Sequence, residues 1–171
     1  MKTLIVMCGI PGSGKSTWIK NHINSFKGSV KVVSRDTIRF NLVAEDEEYF
    51  SKEKEVFSTF ISEIKDGLNN NDYTIADATH LNEKSRAKLL HALGKSINSI
   101  QIVCLVIKND LKNAIDQNEN RINTREYVPI SAIRRMNSQY VQPTLEEGFS
   151  KIYIYNPNEE PKYKIIVAEG A

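Results

Sequence analysis

At 171 residues, 40% of them hydrophobic and 26% charged, the chain has enough apolar material for a packed core, which excludes a disordered protein. The formal net charge of +2 excludes a strongly basic or acidic protein, so any polyanion site has to be a local patch. No apolar run approaches the ~20 residues of a membrane-spanning helix, and Leu4-Ile5-Val6-Met7 is too short for a signal peptide's apolar core, so a cytoplasmic protein without a membrane partner is expected.

The first predicted element is a buried strand over residues 4–8, followed by a helix over 16–24. Residues 31–34 predict a second strand. Apolar residues from Tyr49 and Phe50 through Val56, Phe57, Phe60, Ile61 and Ile64 to Leu68 recur at helical spacing and predict one long helix over 47–68. A strand over 73–76 comes next, then a helix capped by Asn82 that runs to Leu93 and stops at Gly94. Residues 100–107 form the most apolar predicted strand. Helices over 110–118 and 130–140 flank a polar, arginine-bearing segment, and strands over 152–155 and 163–167 close the chain. Cys8 and Cys104, both in apolar strands, are expected to be buried thiols rather than a disulfide or a metal site.

No repeat, low-complexity tract or linker interrupts this order, so one domain over residues 1–171 is expected. Strands alternating with helices imply right-handed crossovers and a parallel sheet covered by helices on both faces. Ligands of such sheets bind beyond the carboxyl ends of the strands.

Gly9-Ile10-Pro11-Gly12-Ser13-Gly14-Lys15-Ser16 matches the Walker A pattern at every fixed position, with a strand entering and a helix leaving. Its glycines allow a tight turn that points successive N–H groups at a phosphate, and the helix start adds unpaired donors and a positive dipole end. Gly9, Pro11, Gly12, Ser13, Gly14, Lys15, Ser16 and Thr17 are therefore the expected cradle for ATP. Lys15 is placed at the β- and γ-phosphates, and Ser16 on Mg²⁺. The chain has no Asn/Thr-Lys-x-Asp guanine signature.

A phosphate loop is shared by switches, motors and small kinases, so the acceptor side decides the reaction. Ser34-Arg35-Asp36-Thr37-Ile38-Arg39 follows the second strand. There a carboxylate can accept a hydroxyl's proton and an arginine one turn along can hold an anionic acceptor. Asp36 can equally be the cap of a helix beginning near Thr37, with Arg39 solvated. Arg121 and Arg125, four residues apart, are expected on one helix face, as a phosphate-gripping pair or as a solvated basic face beside Glu119 and Glu126. Asp77 ends a strand, as a carboxylate ordering water around Mg²⁺ or as a turn residue.

Taken together these motifs resemble the 5′-hydroxyl polynucleotide kinases of phages, bacterial RNA-repair systems and animal DNA-repair enzymes. The likeness rests on Gly9 through Trp18, on Ser34 through Arg39, on Asp77-Ala78-Thr79-His80-Leu81-Asn82, on Arg121-Ile122-Asn123-Thr124-Arg125 with Val128-Pro129, and on Pro143 through Phe149. It implies an α/β P-loop NTPase-type domain with an arginine-bearing lid, acting on 5′-OH ends of RNA or DNA with ATP and Mg²⁺. The resemblance casts Lys15, Asp36, Arg121 and Arg125 as catalytic, with Asp36 the general base. It gives Arg39, Thr79, Val128 and Pro129 to the substrate, and Ser16 and Asp77, the latter through water, to the metal. His80 stands where many relatives carry Asn, and no Asp-x-Asp-Gly-Thr phosphatase motif occurs. A small-metabolite kinase and a non-catalytic nucleotide-binding module are the competing functions.

Overall fold

A computed structural model describes residues 1–108 and 110–169. Six strands form one sheet in the order β2-β3-β1-β4-β5-β6, with β1 at Thr3–Cys8, β2 at Val30–Ser34, β3 at Tyr73–Asp77, β4 at Gln101–Ile107, β5 at Lys151–Tyr155 and β6 at Tyr163–Val167. The first five are parallel. β6 runs antiparallel to β5, a departure from the all-parallel expectation. The connection over residues 156–162 is too short for a crossover, so the chain turns back as a hairpin. Asn156 N–H donates to Lys162 O across that turn.

β1 lies between β3 and β4 and every one of its residues is buried, which explains its unbroken apolar run. Alternate side chains feed two cores. On one face Leu4, Val6, Cys8, Ala76, Cys104 and Val106 pack against α3 (Glu53–Asn70) and α4 (Glu83–Leu93) through Phe60, Ile64, Leu89 and Leu93. On the other face Ile5, Met7, Ile75, Leu105 and Ile107 meet Trp18 and Ile19 of α1 (Lys15–His22). Helices thus cover both faces, and both cysteines are buried free thiols. Trp18 belongs to this second core, and its Nε1–H donates to the Tyr163 hydroxyl at 2.8 Å.

The expected helix over 47–68 starts only at Glu53, as α3, and runs on to Asn70; residues 47–52 belong to the loop that follows α2 (Arg35–Leu42). In the intervening loop Lys52 Nζ donates to Leu42 O at 2.8 Å, and Tyr49 and Phe50 pack edge to face at 4.7 Å. Their helical spacing reflects two rings gathered around Arg39, with the guanidinium 4.8 and 5.4 Å from the ring centres, and not a continuing helix. Asn82 caps α4 as expected, in a reciprocal box with Ser85, and Gly94 ends it at φ 54°.

α5 (Leu111–Glu119) and α6 (Ile130–Gln139) form a hairpin over the phosphate-loop end of the sheet, seated on Ile10, Leu81, Ala114 and Ile133. Arg121 and Arg125 do not share a helix face, because α5 ends before them. The segment between the helices is a series of turns with Asn123 at φ 70°. Its base is closed by buried Asn118, which donates to Val128 O at 2.5 Å and accepts from Val128 N–H at 2.9 Å.

The largest fully buried side chain is Arg86 of α4, paired with Glu147 through Nε at 2.7 Å and Nη2 at 3.2 Å. Glu147→Ala leaves that guanidinium buried without its carboxylate, so a loss of about 3–5 kcal/mol is expected in urea unfolding. A loss below about 1 kcal/mol would show that the pair contributes no more than a surface ion pair.

Candidate active site at the carboxyl edge of the sheet

β1 ends at Cys8, and the chain turns at once into the phosphate loop. Gly12 has φ 80° and Gly14 φ 104°, backbone that L side chains seldom adopt. A Cβ on Gly12 would also collide with Ala114 O of α5, so this glycine permits both the turn and the close approach of the lid hairpin. The loop is pinned to the neighbouring strand's exit: Gly9 N–H donates to Thr79 O at 3.0 Å. Buried His80, at φ 41°, bonds Met7 O through Nδ1 at 2.7 Å, and its carbonyl accepts from Cys8 Sγ and from Arg86 Nη1.

A cleft of about 780 Å³ opens over this edge. Lys15, Ser16, Asp36, Asp77 and Arg121 line it from four different segments, and Thr79, Val128 and Pro129 complete the wall. The Lys15 ammonium rests on Gly9 O and Ile10 O at 2.8 and 3.1 Å. Burial holds it below the ordinary lysine range; the Asp77 and Asp36 carboxylates oppose that shift, and the Arg121 guanidinium adds to it. Burial likewise raises the Asp77 carboxyl, with Lys15 pulling it down and Asp36 pushing it up. The Lys15 ammonium and the Asp36 carboxylate therefore feel each other across one cleft.

The loop fits a nucleotide. Ser13 Oγ is buried with no hydrogen-bond partner, and the first turn of α1 supplies free N–H groups. Exposed Ser16 and half-buried Asp77 supply hard oxygen donors. Among the described residues no group of three or more His, Cys, Asp or Glu forms a metal cage. A sparse oxygen set of this kind suits Mg²⁺ shared with nucleotide phosphates.

On the acceptor side the cap question is decided by geometry. Ser34 is the N-cap of α2, its hydroxyl accepting from Thr37 N–H at 3.2 Å. The Asp36 side chain is 69% exposed in the cleft and accepts from Arg39 Nη1 at 2.7 Å. Arg39 is not a solvated cation. Its Nε and Nη2 grip Glu53 at 2.6 and 3.1 Å, and Nη1 also reaches the Tyr49 hydroxyl at 3.3 Å. Glu53, the partner that fixes this arginine, carries no motif in the sequence.

Arg125 lies apart from the cleft's lining. Its Nη2 donates to Val43 O at 2.6 Å, its Nη1 to Phe40 O at 3.2 Å, and its guanidinium covers the Phe40 ring at 5.0 Å. Of the two arginines, Arg121 lines the cleft and Arg125 ties the turns between α5 and α6 to the end of α2.

Residues 4–143 match the AAA_33 family model, described as an AAA domain. The chain belongs to this family. No curated protein matches it. Among solved structures, Kti12 of Chaetomium thermophilum in complex with ADP-AlF3 is similar at TM-score 0.65 and 19% identity, over 93% of this chain and 92% of that one. A chain of the Pnkp1/Rnl/Hen1 RNA repair complex aligns at TM-score 0.64 and 23% identity, over 81% of this chain but only 43% of the other. A gluconokinase from Sinorhizobium meliloti 1021 aligns at TM-score 0.58 and 13% identity, over 92% and 83%. At these identities the likenesses establish a shared fold: this AAA domain is an α/β phosphate-loop domain of the nucleotide-binding kind. Among its described residues no helix is long and apolar enough to cross a membrane.

Two outcomes test the site's construction. Ser34→Ala removes the cap and should cost ~1 kcal/mol in urea unfolding, whereas Asp36→Asn should change stability by less than about 1 kcal/mol. The reverse order would return the cap to Asp36. Burial also drives the His80 imidazole down from 6.5 to about 4. As pH falls from 6.5 towards 4, the unfolded chain takes up this proton and the folded one does not. Stability is thus lost over that window, by about 3 kcal/mol in full. In urea titrations at pH 7 and pH 4.5, His80→Gln should flatten the drop seen in the parent; an unchanged drop would assign it to the carboxylates.

Proposed function

We propose that this AAA domain is an ATP-dependent kinase that transfers the γ-phosphate to the 5′-hydroxyl end of RNA or DNA. The observation that carries it is Asp36: an exposed carboxylate, free of capping duty, oriented by Arg39 and electrostatically coupled to the phosphate-loop lysine. A module that bound ATP only to set its conformation would have no use for such a group.

Asp36 accepts the proton of the attacking hydroxyl, Lys15 and Arg121 counter the charge that develops on the transferred phosphoryl group, and the loop N–H groups hold the donor in line. Mg²⁺, held by Ser16 and through water by Asp77, would neutralise the β- and γ-phosphate oxygens. Arg39 acts through Asp36 and Glu53 as a positioning residue, and Arg125 as the strap of the lid. The acceptor wall supports a nucleic-acid end: Phe40, Tyr49, Phe50 and Tyr127 line it, and Phe50 is 53% exposed. Aromatic faces of this kind stack bases with little regard to sequence. Val128 and Pro129 add an apolar wall for the terminal sugar or base.

The test is ADP release and label transfer from ATP, with 5′-OH DNA, 5′-OH RNA and a panel of nucleosides and sugar derivatives. A 5′-OH oligonucleotide should become labelled, Asp36→Asn should lower that rate by ~10²–10⁴-fold, and Lys15→Ala by at least ~10³-fold. Transfer only to a metabolite would make this a small-molecule kinase, and Asp36→Asn at near-parental rate would remove the base.

A further inference from the structure

Arg39 is so thoroughly engaged that it has little left for an acceptor anion. Every one of its nitrogens already donates to a carboxylate: Nε and Nη2 to Glu53, Nη1 to Asp36. Two other cations on the same wall are less fully paired. Arg35 and Lys88 both line the cleft and both converge on the half-buried Phe57 ring, at 5.5 and 4.4 Å from its centre. Arg35 shares Glu53 with Arg39 through a single contact at 3.2 Å, and its Nε is buried with no hydrogen-bond partner. Among the described residues no carboxylate lies within ion-pair distance of Lys88. Of these three cations Arg39 and Arg35 take up Asp36 and Glu53, and Lys88 pairs with neither. A buried guanidinium N–H without an acceptor is costly, and two like charges drawn to one ring repel unless an anion joins them.

We propose that Arg35 of α2 and Lys88 of α4, each set against the Phe57 ring of α3 in the cleft wall, form an anion subsite for a phosphate group of the acceptor, separate from the site that holds the transferred phosphate. Under the 5′-end kinase assignment, on which this rests for the acceptor's identity, that group is a backbone phosphate inward of the end being phosphorylated. Arg35, Lys88 and Asp36 line the same cleft, so an acceptor held at this subsite shares it with the base. Arg35 and Lys88 supply a fork and a point charge, the two geometries in which proteins meet phosphate. A neutral sugar or nucleoside would leave Lys88 without an anion and Arg35 with Glu53 alone, so the subsite discriminates phosphorylated from unphosphorylated acceptors.

The experiment separates the subsite from the reaction. With ADP and Mg²⁺ saturating the phosphate loop, ¹³C-methyl labels on the lysines are followed by NMR, the Lys88 resonance being assigned through Lys88→Arg. Titration with inorganic phosphate should shift the Lys88 signal saturably and leave that of Lys84, on the same helix, in place; Arg35→Gln should weaken the response about tenfold, the size of one charge-assisted contact. In the kinase assay Lys88→Ala should raise KM for a 5′-OH oligonucleotide about tenfold with little change in kcat, and lower the salt dependence by about one phosphate contact. Lys84→Ala, the same charge change outside the cleft, should match the parent. A Lys88 signal indifferent to phosphate and to oligonucleotide overturns the subsite, as does a Lys88→Ala effect confined to kcat. A phosphate-responsive Lys88 in a protein that labels no oligonucleotide upholds the subsite and overturns the nucleic-acid acceptor.

Discussion

The exit of β1 is the constraint on which the site depends. Met7, Cys8 and Gly9 are bonded sideways to His80 and Thr79, and His80 O is in turn held by Arg86, which is locked to Glu147. One chain of contacts therefore joins the phosphate loop, the segment that carries Asp77, helix α4 and the turn before β5. Since β1 and β3 are parallel neighbours, their ends would otherwise be free to drift relative to each other. Buried polar groups that are fully paired remove that freedom, because each alternative arrangement leaves one of them unpartnered.

The acceptor wall is built on a different principle. Its polar groups are not sealed in the core but strung along the cleft, from Asp36 through Arg39 to Glu53 and Arg35. Aromatic rings from the loop before α3 back the Arg39 guanidinium and shield it on one side, which strengthens the ion pairs they flank. The donor half of the cleft is thus rigid by hydrogen bonding to the sheet, and the acceptor half is ordered by charge.

Much of this was legible in the sequence because it is local. The phosphate loop, the Asn82 cap and the stop at Gly94 each depend on residues a few positions apart, and all three stand where the pattern puts them. What escaped involves partners far apart in sequence or apolar spacing with two meanings. Arg86 and Glu147 are 61 residues apart, and nothing near either one announces an ion pair. Tyr49 and Phe50 continue the helical period of α3 yet serve Arg39, and periodicity cannot tell a ring packed on a guanidinium from one packed on a core. Asn118 is an ordinary helix-end amide until Val128 returns beside it. The spacing of Arg121 and Arg125 suggested a shared helix face only on the assumption that α5 continued through them.

Arg125 has a mechanical consequence. By clasping two carbonyls at the end of α2 it ties the turns between α5 and α6, whose base Asn118 and Val128 close, to the helix that Ser34 caps. Arg121 belongs to the same run of turns. Any displacement of the segment that carries Arg121 is thereby passed to the end of α2, the helix that carries Asp36 and Arg39.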